Sequence, residues 1–220
     1  MGKAAWIERG IRRTTSMSGV PHPMTTETLR YAGFWPRLCS SLLDIVICLP
    51  IGALEFWGTS KYRLFDAYFF APGILFGIFY NVYLVHHYGG TPGKLLVGIQ
   101  IRKVNGKAVG YREALLRYSV DCILSVLMFT ALVIPTLKMS DSEYLSLSFT
   151  ARSDQLVALA PAWYSALKWV QNAWVFGELA VLLTNRKRRA LHDFIGGTVV
   201  VHSLYNSAPE AKPPEVAALT

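Results

Sequence analysis

FWPRLCSSLLDIVICLPIGALEFW, residues 34–57, is long and apolar enough to cross a bilayer as one helix, yet it holds Arg37 and Asp44. An aspartate near the middle of a span costs roughly 3 kcal/mol on insertion scales, so Asp44 needs either a partner or a task. Charges inside a membrane face a bundle interior or a wet cavity, so this stretch decides the fold class and is also the first place to look for a site. Seven positions put Arg37 and Asp44 on one helix face but roughly 10 Å apart along the axis, too far for a direct pair. Each must find its partner elsewhere in the fold.

Composition agrees with a membrane fold: 52% hydrophobic and 13% aromatic residues, with a mean hydropathy of +0.32, are unusual for a water-soluble domain of 220 residues. Apolar segments at about 65–87, 114–137 and 162–184 bring the expected spans to four, the last interrupted by Lys168 and Glu178 and preceded by Pro161. Lysines and arginines near span ends stay in the cytoplasm. Five precede the first span (Lys3, Arg9, Arg12, Arg13, Arg30) and five separate the second from the third (Lys94, Arg102, Lys103, Lys107, Arg112), against two in each of the other connections. Four spans also keep NRKRR at 185–189 on that same side. The expectation is an all-α membrane protein, a four-transmembrane-helix bundle with both termini cytoplasmic. The net charge of +8 then follows from topology and needs no nucleic acid. Residues 1–30, basic and without an apolar signal core, read as a flexible segment containing two further start candidates, Met17 and Met24. Residues 204–220, rich in Pro and Ala, read as a disordered tail, which leaves 31–203 as the membrane domain.

Between the second and third spans, Asn105-Gly106 suits a type I′ turn, with IQIRKV before it and KAVGY after it. A small cytoplasmic β-hairpin is expected there, and the β-branched GTVVVHS at 197–203 can add a third strand. GTPGK at 90–94 breaks the second span and turns the chain along the membrane surface, with Lys94 free for lipid phosphate. It lacks the spacing of a phosphate-binding loop.

Four stretches in order, YAGFWPRLCSSLLDIVI (31–47), GGTPGKLLVGIQI (89–101), REALLRY (112–118) and NRKRRALHDFIGGTVVV (185–201), resemble the RDD family of bacterial membrane proteins. That family is named for one arginine and two aspartates, which the resemblance puts at Arg37, Asp44 and Asp193. It implies a multi-pass protein of the bacterial inner (plasma) membrane. Transport, including exchange of sodium or potassium against protons, has been proposed within the family, and its members also occur as accessory domains beside unrelated modules. Asp121 and Glu178 are not family signatures, so their roles rest on this chain.

Function then divides two ways. As a small-ion or proton-coupled transporter, the protein would use Asp44 as its carboxylate, gated by Arg37 and Asp193, with Asp121 or Glu178 continuing the path. A homo-oligomer is expected in that case, because four short helices enclose little volume. As a non-catalytic accessory or assembly subunit of a larger membrane complex, it would dock through the Gly73 face and exposed loops; Arg37, Asp193, Arg117 and Asp121 then read as a structural ion-pair network, with Ser40 or Ser41 satisfying Asp44. Arg117 and Asp121, four apart, are spaced for a direct pair. Gly73, Gly77 and Asn81 form a packing face, with Asn81 bonding across to another helix. His86, His87 and His192 lack metal-site spacing, and Cys39, Cys48 and Cys122 lack any CxxC pattern. No nucleophile has a base and an orienter in sequence, so no enzyme, metal or cofactor is expected, and the lipid bilayer is the partner the sequence names.

Overall fold

The computed structural model describes residues 29–203. Most of the segment expected at 1–30 and all of the tail at 204–220 lie outside the described residues. The opening run forms a single 28-residue helix, α1 (Phe34–Lys61), which continues through Pro50. α2 (Phe65–Ile78) passes through a π-helical turn (Phe79–Tyr83) into α3 (Leu84–Tyr88) and stops where Gly89 takes a φ of 79°. The short α4 (Pro92–Leu96), with proline in its first turn, leads to β1 (Ile99–Lys103). α5 (Tyr111–Lys138) follows, then α6 (Asp141–Ser146) and α7 (Phe149–Ala158), capped by Ser140 and Ser148. α8 (Trp163–Thr184), α9 (Leu191–Ile195) and β2 (Thr198–His202) complete the described chain.

Among the described residues, three helical stretches are long and apolar enough to cross a membrane: Phe34–Lys61, Phe65–Leu96 and Tyr111–Lys138. With 22 residues, α8 reaches about 33 Å, which is long enough, but Lys168, Gln171, Asn172 and Glu178 make it less apolar. The outer surfaces of the spans suit lipid. In α1 only Ser40 and Gly58 are buried, while Leu42, Ile45, Val46 and Leu49 are exposed. Water would penalise so large an apolar face, whereas hydrocarbon does not.

The β element differs from the expected hairpin. The turn at Asn105-Gly106 forms, with Gly106 N–H donating to the Lys103 carbonyl at 2.8 Å and Lys103 N–H to the Lys107 carbonyl at 2.9 Å. The return arm is no strand, because Gly110 N-caps α5 only three residues later and Glu113 Oε2 accepts from its N–H at 3.0 Å. β1 pairs instead with β2, antiparallel, from Ile99 opposite His202 to Lys103 opposite Thr198. The far edge of β2 bonds the chain just before α1, through Ala32 N–H to the Val200 carbonyl at 2.8 Å and His202 N–H to the Arg30 carbonyl at 3.0 Å.

Four of the five β2 residues are buried, which explains the β-branched run. One face packs with Leu29, and the other joins Ile99, Ile101, Ala32 and Val109 over Val82, Val85 and Ala114 of the helices. This core fixes a sheet at one end of the bundle and ties the beginning and end of the described chain together there.

Candidate functional site

At the sheet end, Arg37 and Asp193, 156 residues apart in sequence, meet as expected. Asp193 occupies the third position of α9, where its Oδ2 caps the helix by accepting from Ala190 N–H at 3.1 Å. The same oxygen takes Arg37 Nη1 at 2.8 Å, while Oδ1 takes Arg117 Nη1 and, at 3.2 Å, the Thr198 hydroxyl. Its side chain is 0% exposed, against 11% for Arg37 and 10% for Arg117. Arg37 also donates to the carbonyls of Arg188 and Ala32, and Arg117 to Thr198 Oγ1 at 3.1 Å. Two arginines on separate long helices thus close on one buried carboxylate carried by the segment after α8. The direct Arg117–Asp121 pair expected from their spacing is absent, because Arg117 turns to the buried, already oriented Asp193.

Asp44 has partners that the sequence did not suggest. Oδ1 accepts from the Tyr80 hydroxyl at 2.6 Å and Gly93 N–H at 2.7 Å; Oδ2 accepts from the Thr91 hydroxyl at 2.6 Å, with Lys94 Nζ at 3.7 Å. Ser40, one of the two serines expected to satisfy Asp44, donates to the Arg37 carbonyl at 2.8 Å instead. The π-helical turn carries Tyr80, and a π-bulge rotates the residues around it relative to an α-helix. GTPGK does not simply turn along the surface. It folds against α1, where a Cβ on Gly93 would stand 2.6 Å from Asp44 Oδ1 and would also strike the Ser40 carbonyl. Lys94 is therefore turned inward, toward Asp44 and Thr91 Oγ1 at 3.2 Å.

Asp121 and Glu178 are provided for more sparsely. Asp121 Oδ1 accepts from Trp174 Nε1 of α8 at 2.9 Å. Glu178 Oε1 accepts from His192 N–H at 3.3 Å and contacts His192 Nδ1. The other ring nitrogen, Nε2, is buried without a hydrogen-bond partner and stands 3.7 Å from Asp193 Oδ1. Burial first, then the charges of Arg117, Arg37 and Lys94, hold the His192 pKa well below the usual histidine range. Asp121, Glu178 and His192 each bring one potential metal-ligating atom within 4.8 Å of the others, a grouping that sequence spacing could not reveal because it joins α5, α8 and α9.

Lys94, Arg117, Asp121 and His192 border the first of a series of pockets. One of about 110 Å³ is lined by Asn81, Lys94, Arg117, Tyr118, Asp121 and His192 among others. A second, of about 300 Å³, lies between α1, α2 and α5 and shares Tyr118 with the first; Glu55, Gly73, Cys122 and Ser125 are in its wall. A third, of about 310 Å³, shares Glu55 with the second and is lined by Thr59, Asp66, Tyr144 and Arg152. Asp66 Oδ1 and Arg152 Nε, both in the third, are buried without hydrogen-bond partners. The other Arg152 nitrogens bond the carbonyls of Thr59 and Leu147, and its guanidinium lies 4.3 Å from the centre of the Tyr144 ring. Sequence inspection passed over Glu55 and Asp66 because nothing local marks them.

The expected packing face survives in part. A Cβ at Gly77 would strike the Tyr118 hydroxyl, so this glycine does admit α5. Gly73 admits nothing closer than Phe69 at 4.0 Å. Asn81 Nδ2 donates to the Gly77 carbonyl of its own helix at 3.1 Å and does not bond across. The three cysteines are free thiols.

Comparison with known families gives a match to a model described as the RDD family, over residues 31–197. No curated protein and no solved structure matches the chain. The matched region takes in α1, β1 and every charged residue just described at the sheet end, and stops just before β2.

Proposed function

The chain belongs to the RDD family, and from that premise we propose that it is a multi-pass transporter of small cations or protons whose path runs beside Asp44, not through it. The observation that carries this is the sharing of lining residues: Tyr118 borders both the sheet-end and middle pockets, and Glu55 borders both the middle pocket and the one at the opposite end. Asp121, Glu55 and Asp66 then succeed one another along a route between the two ends. Carboxylates in series across a bilayer are what movement of a cation or proton requires. Tyr118, resting on Gly77, is the constriction between the first two pockets.

In this proposal α8 is the fourth span, and the sheet end faces the cytoplasm of a bacterial inner membrane, as do both termini. Arg102, Lys103, Lys107, Arg112 and the basic cluster at 186–189 all belong to that end, in keeping with retention of basic residues inside. Asp193 and Asp44 serve as fasteners that hold the helix ends while the path does the work. A second copy of the chain would shield the open side of the middle pocket from lipid.

Cation-dependent proton flux in proteoliposomes tests the route. Glu55→Gln is expected to lower flux on the order of 10-fold or more, since a proton-transfer group contributes at least that much, while insertion and melting temperature stay unchanged. Absence of flux from the native chain across sodium, potassium and pH ranges would contradict transport. Stoichiometric copurification of an unrelated membrane protein would then favour the accessory or assembly-subunit role.

A further inference from the structure

Asp121, Glu178 and His192 come from three separate elements, yet one potential ligand atom from each lies within 4.8 Å of the other two. Points that close can surround one ion at under about 3 Å, and side-chain adjustments of less than about 1 Å reach the 2.0–2.2 Å of a metal bond. We propose that they form a binding site for a divalent transition-metal ion of the Zn²⁺ or Mn²⁺ class, beside the sheet-end pocket.

The surroundings of His192 accommodate an ion. Its Nδ1 contacts the Glu178 carboxylate, so something positive must stand between the two. If that is the proton of a neutral ring, Nε2 is a bare lone pair, buried, without a partner and 3.7 Å from the carboxylate of Asp193. Two electron-rich atoms then face each other at the most buried point of the site. A metal ion between Nδ1, Glu178 and Asp121 reverses the arrangement. The ring proton moves to Nε2 and points at Asp193 Oδ1, giving the carboxylate–histidine–metal order in which the outer carboxylate orients the ligand ring.

Charge and ligand type agree with this. Two carboxylates offset a divalent ion, and their oxygens combined with one imidazole nitrogen suit borderline metals, not the alkali ions. Asp121 Oδ1 is held by Trp174, which fixes the orientation of that carboxylate and leaves Oδ2 available. The sheet-end pocket, which Asp121 and His192 both line, has room at about 110 Å³ for the waters that would complete the coordination. Arg117 is committed to Asp193 and Lys94 faces Asp44, so neither cation fills the place.

Titration calorimetry of the detergent-purified full chain with ZnCl₂ and with MnCl₂ tests the site, with NaCl as control. Binding of one divalent ion per chain is expected, weakened on the order of 10- to 100-fold or more by Asp121→Asn and by Glu178→Gln. Both variants keep a hydrogen-bond acceptor, for Trp174 and His192 respectively. Pulsed EPR of Mn²⁺ bound to the native chain is expected to show the nitrogen modulation of a coordinated imidazole, and to keep it when His86 and His87 are both changed to Ala. No divalent binding by the native chain, or binding untouched by both carboxylate variants, or modulation lost with His86 and His87, would overturn the site. None of these readouts requires transport, so the metal site and the proposed path stand or fall separately.

Discussion

Asp193 and Asp121 lie near one another at the sheet end, on elements that pack together, yet they are treated in opposite ways. Asp193 is saturated: two arginines, a hydroxyl and a backbone N–H fill its oxygens, and no part of its side chain reaches solvent. Asp44 resembles it, with a tyrosine, a threonine, a backbone N–H and a lysine around one carboxylate. Asp121 has one indole N–H and a pocket. A saturated carboxylate is a fastener, because binding anything new would first require breaking strong existing bonds. A sparsely bonded carboxylate beside a pocket is free to exchange partners. Asp193 and Asp44, which the motif resemblance singled out, fall in the first class, and Asp121, which it did not, falls in the second.

Removing a fastener should therefore cost folding, and the largest effect is expected at Asp193. Asp193→Ala leaves Arg37 and Arg117 buried without their counter-charge and removes the cap of α9. Stability should fall by about 3–5 kcal/mol, read as loss of folded protein or a lowered melting temperature in mild detergent. A variant as stable as the native chain would break the comparison at its strong side. Gly93→Ala comes next. Its Cβ would meet both Asp44 and the Ser40 carbonyl, so α4 must move off α1 at a cost of roughly 1–3 kcal/mol, measured in the same assay. An unchanged melting temperature there would mean that the seat of Asp44 is loose. Asp121→Asn should have the smallest effect on stability, within the error of the measurement, because the amide oxygen can still accept from Trp174.

The membrane character and the first long helix are legible in the sequence because hydropathy over a span-length window needs no knowledge of the rest of the fold. The strand at 198–202 is legible for a similar reason, since a β-branched run demands burial wherever it lies. The meeting of Arg37 with Asp193 came from motif resemblance, and the geometry bears it out. Failures share one cause: local rules see neighbours in sequence. The hairpin rule paired 99–103 with the residues just beyond the turn, whereas their partner lies about a hundred positions away. Spacing by four paired Arg117 with Asp121, although a better oriented carboxylate waited on α9. GTPGK read as a surface turn because nothing in five residues reveals that Gly93 is the contact point for α1. The grouping of Asp121, Glu178 and His192 was invisible for the same reason, as each comes from a different helix.

Side-by-side flux in proteoliposomes of Asp44→Asn and Asp121→Asn, each corrected for the amount of folded, inserted protein, tests the division between fasteners and path most directly. Asp121→Asn is expected to insert and melt normally but to lose flux. Asp44→Asn is expected to yield less folded protein, with the folded fraction transporting at close to the native rate. The reverse result, normal flux from Asp121→Asn and none from well-folded Asp44→Asn, would contradict the division and return the path to Asp44.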